Sequence, residues 1–203
     1  MDVAFVCQVS ECGQVPLEDD RGGHAWRARA CAVLTGIGTV LEDDPLLNVR
    51  DVDTPRQPTL VIVDSKLETP LTAKLWQTQR EVWIYCAQKD ADRKAALEAK
   101  GAHVRSLPNA QGKVDLRAMQ KDLGQRNINE VHIEAGFKLN GSLLAIGVVD
   151  ELLVYLAPLL LGQGLGMANL GPFETLSQAL KLHIQNVTPI GDDIRLIAHI
   201  KGH

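Results

Sequence analysis

Aromatic side chains are few in this sequence, and it has no excess of positive charge. Aromatic residues make up 4% of the 203 residues, and 25 acidic side chains outnumber 21 basic ones, which gives a formal net charge of −4. Such a chain offers neither stacking platforms nor a basic surface for nucleic acids. We therefore expect no nucleic-acid partner, although a few local cations would suffice to bind a small anionic ligand.

C-x-x-C spacing is also absent, because the four cysteines are scattered along the chain at Cys7, Cys12, Cys31 and Cys86. This pattern disfavours a zinc site, and we expect no bound metal. The amino terminus lacks the basic segment and the long apolar core of a secretory signal. A cytoplasmic location with reduced thiols is the expectation that follows.

Long apolar runs are absent too. The most apolar run, residues 143–161, contains Asp150 and Glu151, and two carboxylates in mid-span argue against a membrane helix. We expect no membrane partner. A chain of this length can bury a core of its own, so one domain over residues 1–203 is expected.

Short β-rich runs alternate with helix-like runs, which is typical of an α/β protein. The run at residues 59–64 is continuously apolar and β-branched, which predicts a central strand buried on both faces. The last two strands, joined through residues 188–192, predict an antiparallel hairpin. The expected fold is therefore a mixed sheet flanked by helices, with strands at 3–9, 31–35, 59–64, 81–86, 103–107, 130–134, 151–157, 182–187 and 193–200.

Three helices are predicted between these strands. Asp90 is the expected N-cap of one helix, and Gly101 follows its end. An apolar stripe that begins at Leu116 indicates a second helix, which Gly124 would close. The third is expected over residues 139–146.

A glycine-rich turn follows the second predicted strand, in the sequence LTGIGTVLEDDP at residues 34–45. Two glycines free the backbone to approach a ligand, and Thr39 is a candidate helix N-cap. Backbone N–H groups at a strand-to-helix turn can bind phosphate. The spacing is not G-x-G-x-x-G, so a Rossmann site is not predicted, and a turn that serves only the fold stays an alternative.

Two charged positions after this turn have alternative interpretations. Asp43 and Asp44 precede Pro45, a pattern typical of a turn, although either carboxylate could act as an acid or a ligand. Arg50 is either a solvated surface charge or a phosphate-binding guanidinium.

A second candidate turn follows the strand at residues 130–134. Glu134 ends this strand, where ligands bind in α/β sheets, but it could equally be a charge favoured by the helix dipole. Gly136 then opens an amide-rich turn. His132, inside the strand, is interpreted as a packed core residue.

The sequence AVLTGIGTVLEDDPLLNVR at residues 32–50 closely resembles the bacterial riboflavin-biosynthesis pyrimidine reductase, the carboxyl-terminal half of the bifunctional deaminase–reductase. Supporting segments follow in the family's order: RQP at 56–58, VIVDS at 61–65, TPL at 69–71, IEAG at 133–136, VDEL at 149–152 and APLLLG at 157–162. The resemblance begins near Arg27 and continues to the carboxyl terminus.

This resemblance implies a dihydrofolate-reductase-like fold and a homodimer. It also implies that NADPH reduces a phosphorylated substrate, 5-amino-6-(5-phosphoribosylamino)uracil, to its ribitylamino product by delivering hydride to C1′ of the opened sugar. In such chemistry the cofactor and substrate react, while the protein supplies orientation and electrostatics.

Site residues are carried over by the same resemblance. The substrate would contact Arg27, Leu47, Arg50 and Glu134, and the carboxylate of Glu134 would hold the pyrimidine or relay a proton. The NADPH site would be lined by Thr39, Asp43, Ser65, Gly136, Phe137, Lys138, Leu139, Asn140, Gly141 and Ser142.

The sequence departs from the family pattern over residues 1–26. Val6 stands where the family has a lysine, Cys12 stands where it has an aspartate, and the segment at 14–23 is shortened. These departures leave two alternatives open. One is a non-catalytic homologue that binds a nicotinamide nucleotide, and the other is an enzyme that reduces a different heterocycle.

Overall fold

The computed structural model describes residues 3–10, 20–160, 162, 164 and 166–201. Within these residues the strands are β1 (Ala4–Ser10), β2 (Ala32–Gly36), β3 (Thr59–Val63), β4 (Val82–Cys86), β5 (Ala102–Ser106), β6 (Glu130–Glu134), β7 (Glu151–Leu156), β8 (Leu182–Ile190) and β9 (Asp193–Ile200). The α-helices are α1 (Asp20–Arg29), α2 (Ile37–Asp43), α3 (Ala91–Ala99), α4 (Leu116–Gln125) and α5 (Phe137–Ala145). Cys12 and most of the 14–23 segment lie outside the described residues.

The strands form one sheet in the order β5-β4-β3-β2-β6-β1-β7-β9-β8. Pairing is parallel from β5 to β7 and antiparallel between β7, β9 and β8. The predicted mixed α/β sheet with a carboxyl-terminal hairpin is confirmed. Each of the nine predicted strands overlaps an observed one. Among the described residues, no helix has the length and apolar character needed to cross a membrane.

Strand β3 lies in the interior of the sheet, as its apolar run predicted. Its residues Leu60, Val61 and Ile62 are fully buried. Successive side chains point to opposite faces of a strand, so neighbouring residues enter different cores. Val61 packs in one apolar cluster, while Leu60 and Ile62 pack in the cluster on the other face.

The α3 boundaries follow the predicted capping residues. The Asp90 side chain accepts a hydrogen bond from the Arg93 amide at 2.9 Å, and Gly101 has the positive φ (+94°) of a residue that follows a helix. Gly124 was expected to close α4, and this expectation is wrong. The helix continues through Gly124, and Asn127 takes the left-handed conformation instead, with φ +62°. Asparagine tolerates that region because its short polar side chain bonds locally.

Other helix boundaries also differ from the predictions. Gly36 is the N-cap of α2, so Thr39 is the third helical residue and not the cap. Helix α5 begins at Phe137, two residues before the predicted start. Helix α1 was not predicted, because its sequence DRGGHAWRAR contains two glycines and lacks a clear apolar stripe.

The hairpin connection is shorter than expected. Strand β8 continues through Ile190, so the turn consists of Gly191 and Asp192, and Gly191 has φ +58°. Pro189 fits inside β8 because this strand lies at the edge of the sheet, where a missing N–H costs no ladder bond.

Replacing Gly141 with alanine is predicted to destabilise the fold. A Cβ atom at this position would lie 2.2 Å from the backbone oxygen of Asn169, so the chain around Asn169 must move. We expect Gly141→Ala to lower the free energy of unfolding by about 1–3 kcal/mol in urea denaturation. The control is Gly38→Ala, because a Cβ at Gly38 would meet no atom of the described residues within 4 Å. Equal stabilities of the two variants would contradict this packing.

Candidate active site

The carboxyl ends of β1, β6, β2 and β3 lie side by side in the sheet. The register pairs Val6 with His132 and Gln8 with Glu134. Because alternate residues share a face, Gln8, His132 and Glu134 lie on one face of the sheet near this edge. Chain reversals after β2 and β6 then bring α2 and α5 to the same edge, where ligands bind in α/β sheets.

Arg27 and Glu134 form a doubly hydrogen-bonded ion pair at this edge. Arg27 Nε and Nη2 donate to the two carboxylate oxygens of Glu134 at 2.5 and 2.7 Å. The side chains are only 15% and 14% exposed. Burial alone would raise the pKa of Glu134, but the hydrogen bonds and charge of Arg27 outweigh burial, so the pKa lies below its ordinary value. The carboxylate is therefore ionised at neutral pH.

His132 is buried beside this pair. Its Nε2 lies 2.9 Å from Gln8 Oε1 and 3.5 Å from Glu134 Oε1. Burial lowers the pKa of His132, and the nearby Glu134 opposes that effect only in part. A neutral imidazole protonated at Nε2 fits two oxygen neighbours. His132 is buried as expected, but its contact with Glu134 was missed, although a spacing of two residues in a strand could have indicated it.

Two arginines hold the segment after α2 by its carbonyl groups. Arg27 Nη1 donates to the Asn48 carbonyl at 3.2 Å, and Arg80 donates to the carbonyls of Leu46 and Leu47. The pKa of Arg80 is lowered to about 10 by burial and by the charge of Arg27, against the opposing effect of Glu134. Arg80 was not predicted as part of the site, since nothing in its local sequence indicates this contact.

Leu47 and Arg50 lie differently within this segment. The Leu47 side chain is buried in an apolar cluster, so a ligand could reach this residue only through its backbone. Arg50 is exposed, and its Nε lies 3.4 Å from Asp51 Oδ2. The same carboxylate oxygen lies 2.9 Å from Nε2 of the buried His24, which links α1 to this end of the segment.

Thr39 and the start of α5 come together on the other side of the site. Gly136 is the N-cap of α5 and supplies no side-chain cap. A Cβ at Gly136 would lie 3.8 Å from Thr39 Oγ1, and one at Gly36 would lie 3.2 Å from Leu139 Cδ2. Thr39 and Asp43 are four residues apart in α2 and so share one face of this helix.

Asn140 and Gly141 instead face the protein interior. Asn140 Nδ2 donates to the carbonyls of Ala135 and Met167 at 2.8 and 3.2 Å, and Gly141 packs on the backbone of Asn169. These contacts fix the chain at 167–169 against α5. A cofactor role for the two residues stays a prediction.

The remaining predicted residues at this edge have the following contacts. Phe137 is half-buried with its ring 3.6 Å from the Cβ position of Gly166, and Lys138 is exposed. Ser142 Oγ donates to the Lys138 carbonyl at 2.9 Å. Ser65 follows β3, and its hydroxyl accepts a hydrogen bond from the Val114 amide at 3.3 Å. The described part of the chain contains no group of three or more His, Cys, Asp or Glu arranged to hold a metal ion.

Replacing Arg27 should lower the free energy of unfolding by an amount that depends on pH. The pKa of Glu134 is lower in the folded than in the unfolded chain, so the pair stabilises the fold above the ordinary glutamate pKa. This stabilisation is lost as pH falls through the lowered folded-state pKa. We expect Arg27→Met to reduce the free energy of unfolding by about 3 kcal/mol at pH 7, because it leaves a carboxylate buried without its partner.

The loss caused by Arg27→Met should be smaller at pH 3 than at pH 7, because below the ordinary glutamate pKa the variant can protonate Glu134 and no longer buries an unpaired charge. Urea denaturation at both pH values measures it. The matched control is Arg29→Met, which breaks the more exposed Arg29–Glu130 pair between the same two elements and should cost less than about 1 kcal/mol. A loss in Arg27→Met that is the same at both pH values would contradict the ionised pair.

Comparison with known proteins finds RibD proteins and a related reductase. RibD of Aquifex aeolicus is 33% identical over 177 residues, covering 87% of this chain and 48% of that protein. RibD of Escherichia coli is 35% identical over 191 residues, covering 87% of this chain and 50% of that protein. The chain thus spans about half the length of these relatives. A 5-amino-6-(5-phosphoribosylamino)uracil reductase from Buchnera aphidicola is 31% identical, with 85% of this chain and 87% of that protein covered.

Solved structures show the same architecture. Acinetobacter baumannii RibD superposes with a TM-score of 0.83 at 29% identity, over 99% of this chain and 59% of that chain. Dihydrofolate reductase from Enterococcus faecalis has a TM-score of 0.50 at 9% identity, over 98% of this chain and 97% of that chain, and it shares the fold alone. The expected dihydrofolate-reductase-like fold is therefore confirmed. The model of the RibD C-terminal domain matches residues 12–196, and the chain belongs to this family.

Proposed function

We propose that this chain reduces 5-amino-6-(5-phosphoribosylamino)uracil to the ribitylamino compound with NADPH. The observation that carries the proposal is the buried Arg27–Glu134 pair, which lies at the sheet edge where α5 begins without a side-chain cap. A relative of similar length is named as the reductase of this substrate. Membership of the same family makes this chemistry the expected one.

The residues around α5 fit a nicotinamide dinucleotide. The first N–H groups of a helix have no partner within the helix, and they favour a phosphate. Gly136 leaves room for one, since the Thr39 hydroxyl is the only group among the described residues that a Cβ there would meet within 4 Å. The Thr39 hydroxyl and the exposed Lys138 could also donate to that phosphate. When bound, the cofactor supplies the hydride.

On the substrate side, Glu134 acts as a hydrogen-bond acceptor in this proposal. Its lowered pKa keeps it ionised at neutral pH, so it accepts hydrogen bonds from the N–H groups of a pyrimidine and is a poor proton donor. Arg27 is already bonded to this carboxylate and to the Asn48 carbonyl. Arg50, which is exposed, is therefore the better candidate for the substrate phosphate.

One observation favours a second candidate, a homologue that binds the nucleotide without reducing this substrate. Val6 stands where the family has a lysine, so this position carries no charge. Its side chain is buried in an apolar cluster with Leu153 and Tyr155. In this case NADPH would bind, but the phosphoribosylaminouracil would cause no oxidation of NADPH.

Replacing Glu134 tests the proposed activity. NADPH oxidation is followed at 340 nm with 5-amino-6-(5-phosphoribosylamino)uracil. We expect turnover by the unmodified chain and a loss of about 100-fold or more in kcat/KM for Glu134→Gln, because the variant loses the charged acceptor. The matched control is Glu130→Gln, which alters the equivalent α1–β6 ion pair at the other end of β6 and should stay within about threefold. Binding of NADPH without turnover would favour the second candidate.

We also propose that two copies associate through one face of the β8–β9 hairpin. A register shift between Ile184 and Asn186 keeps Leu182, Ile184 and Val187 on one face, the face that continues the apolar core of β7 and β9. These three side chains are 44–56% exposed, and Ile194 on β9 is 42% exposed. A second copy that covers this face would bury apolar area which no described helix covers.

A charge on this face should separate the copies. We expect the unmodified chain to sediment as a dimer and Ile184→Lys to sediment as a monomer, because burying an unpaired ammonium group is costly. Leu41→Lys, at a similarly exposed leucine on α2, is the control and should leave the dimer intact. A monomeric unmodified chain at micromolar concentration would rule out this dimer.

A further inference from the structure

Two loops at the site each contain a leucine in the left-handed backbone conformation. Leu47 has φ +49° and Leu67 has φ +62°. Branched apolar residues rarely adopt this region, because Cβ crowds the following carbonyl oxygen. Both side chains are buried in the same apolar cluster. Each loop therefore needs contacts that keep its backbone turned while the leucine stays in the core.

Each left-handed leucine is held by one arginine through a pair of carbonyl groups. Arg80 donates to the carbonyls of Leu46 and Leu47. Arg93, from α3, donates through Nε to the Leu67 carbonyl at 2.8 Å and through Nη2 to the Thr69 carbonyl at 2.5 Å. The planar guanidinium group suits two acceptors at once, which a lysine ammonium cannot match in the same geometry.

The two loops contain or adjoin residues that the sequence predicts to contact different ligands, Leu47 and Arg50 for the substrate and Ser65 for the cofactor. The Leu47 loop lies between α2 and Arg50, and its Asn48 carbonyl accepts a hydrogen bond from Arg27, the partner of Glu134. The Leu67 loop follows β3 and includes Ser65. Arg80 lies close enough to Arg27 and Glu134 for their charges to act on it. If the proposed function holds, the first loop faces the substrate and the second faces the cofactor.

We propose that Arg80 and Arg93 are matched positioning residues, Arg80 for the substrate-side loop and Arg93 for the cofactor-side loop. Neither needs to touch a ligand, since each acts through the leucine carbonyl that it holds. The inference rests on the proposed function for the identity of the two ligands. The holding of each loop by its arginine does not depend on that function.

Other contacts fix the ends of each loop but not the leucine carbonyl. In the first loop the Lys74 amide donates to Asp44 Oδ1 at 2.8 Å, and the Gln57 side chain pairs with both backbone groups of Val49. In the second, the Asp64 carboxylate accepts from the amides of Glu68 and Thr69. Loss of either arginine should therefore loosen its own loop without unfolding the sheet.

The test compares Arg80→Met with Arg93→Met, and includes Arg80→Lys and Arg93→Lys as milder variants. Hydrogen exchange in the ligand-free protein is the first readout. We expect amides of residues 46–50 to exchange about tenfold faster in Arg80→Met, and amides of residues 66–69 to do so in Arg93→Met, with each loop unaffected by the other substitution. The lysine variants should recover part of the protection.

Ligand affinity is the second readout, measured by steady-state kinetics for the substrate and by equilibrium binding for NADPH. Arg80→Met should raise the KM for the phosphoribosylaminouracil about tenfold and leave the NADPH dissociation constant within about twofold, and Arg93→Met should do the reverse. Unchanged exchange in both loops, or an equal weakening of both ligands by both variants, would overturn the proposal. If the unmodified chain binds neither NADPH nor the substrate, the proposed function fails, while the exchange data still decide whether the arginines hold the loops.

Discussion

The buried ion pair between Arg27 and Glu134 connects the parts from which the site is built. Glu134 ends the central strand β6, Arg27 lies on α1, and the same guanidinium group holds the Asn48 carbonyl of the loop after α2. A carboxylate at this depth would favour its neutral form without the arginine. One interaction therefore fixes both the charge of Glu134 and the position of three chain segments around it.

The charges around this pair suit a small anion although the chain as a whole is acidic. Arg27 is hydrogen-bonded to Glu134, and the charges of both residues act on Arg80, so two guanidinium groups lie near this carboxylate. The start of α5 adds the positive end of a helix on the other side of the same sheet edge. Local geometry, not net charge, thus makes a phosphorylated ligand and a dinucleotide compatible with this surface.

Much of the fold follows from local sequence, but the site contacts depend on the tertiary structure. Apolar β-branched runs predict the strands, and Asp90 with Gly101 predicts the limits of α3, because strand periodicity and helix capping act over a few residues. The Arg27–Glu134 contact joins residues 107 positions apart, and Arg80 reaches Leu47 across 33 positions. Such contacts leave no local signal. Helix α1 was missed because packing overrides the poor helix propensity of its two glycines.

The division of the site into two halves is tested most directly by amide NMR shifts during stepwise addition of NADPH and then of the phosphoribosylaminouracil. NADPH should first shift the amides of residues 136–139 and of Thr39. The pyrimidine should then shift those of residues 46–50 and of Glu134. Shifts confined to β8 and β9, or the same residues responding to both ligands, would contradict the assignment of cofactor and substrate to the two sides of the Arg27–Glu134 pair.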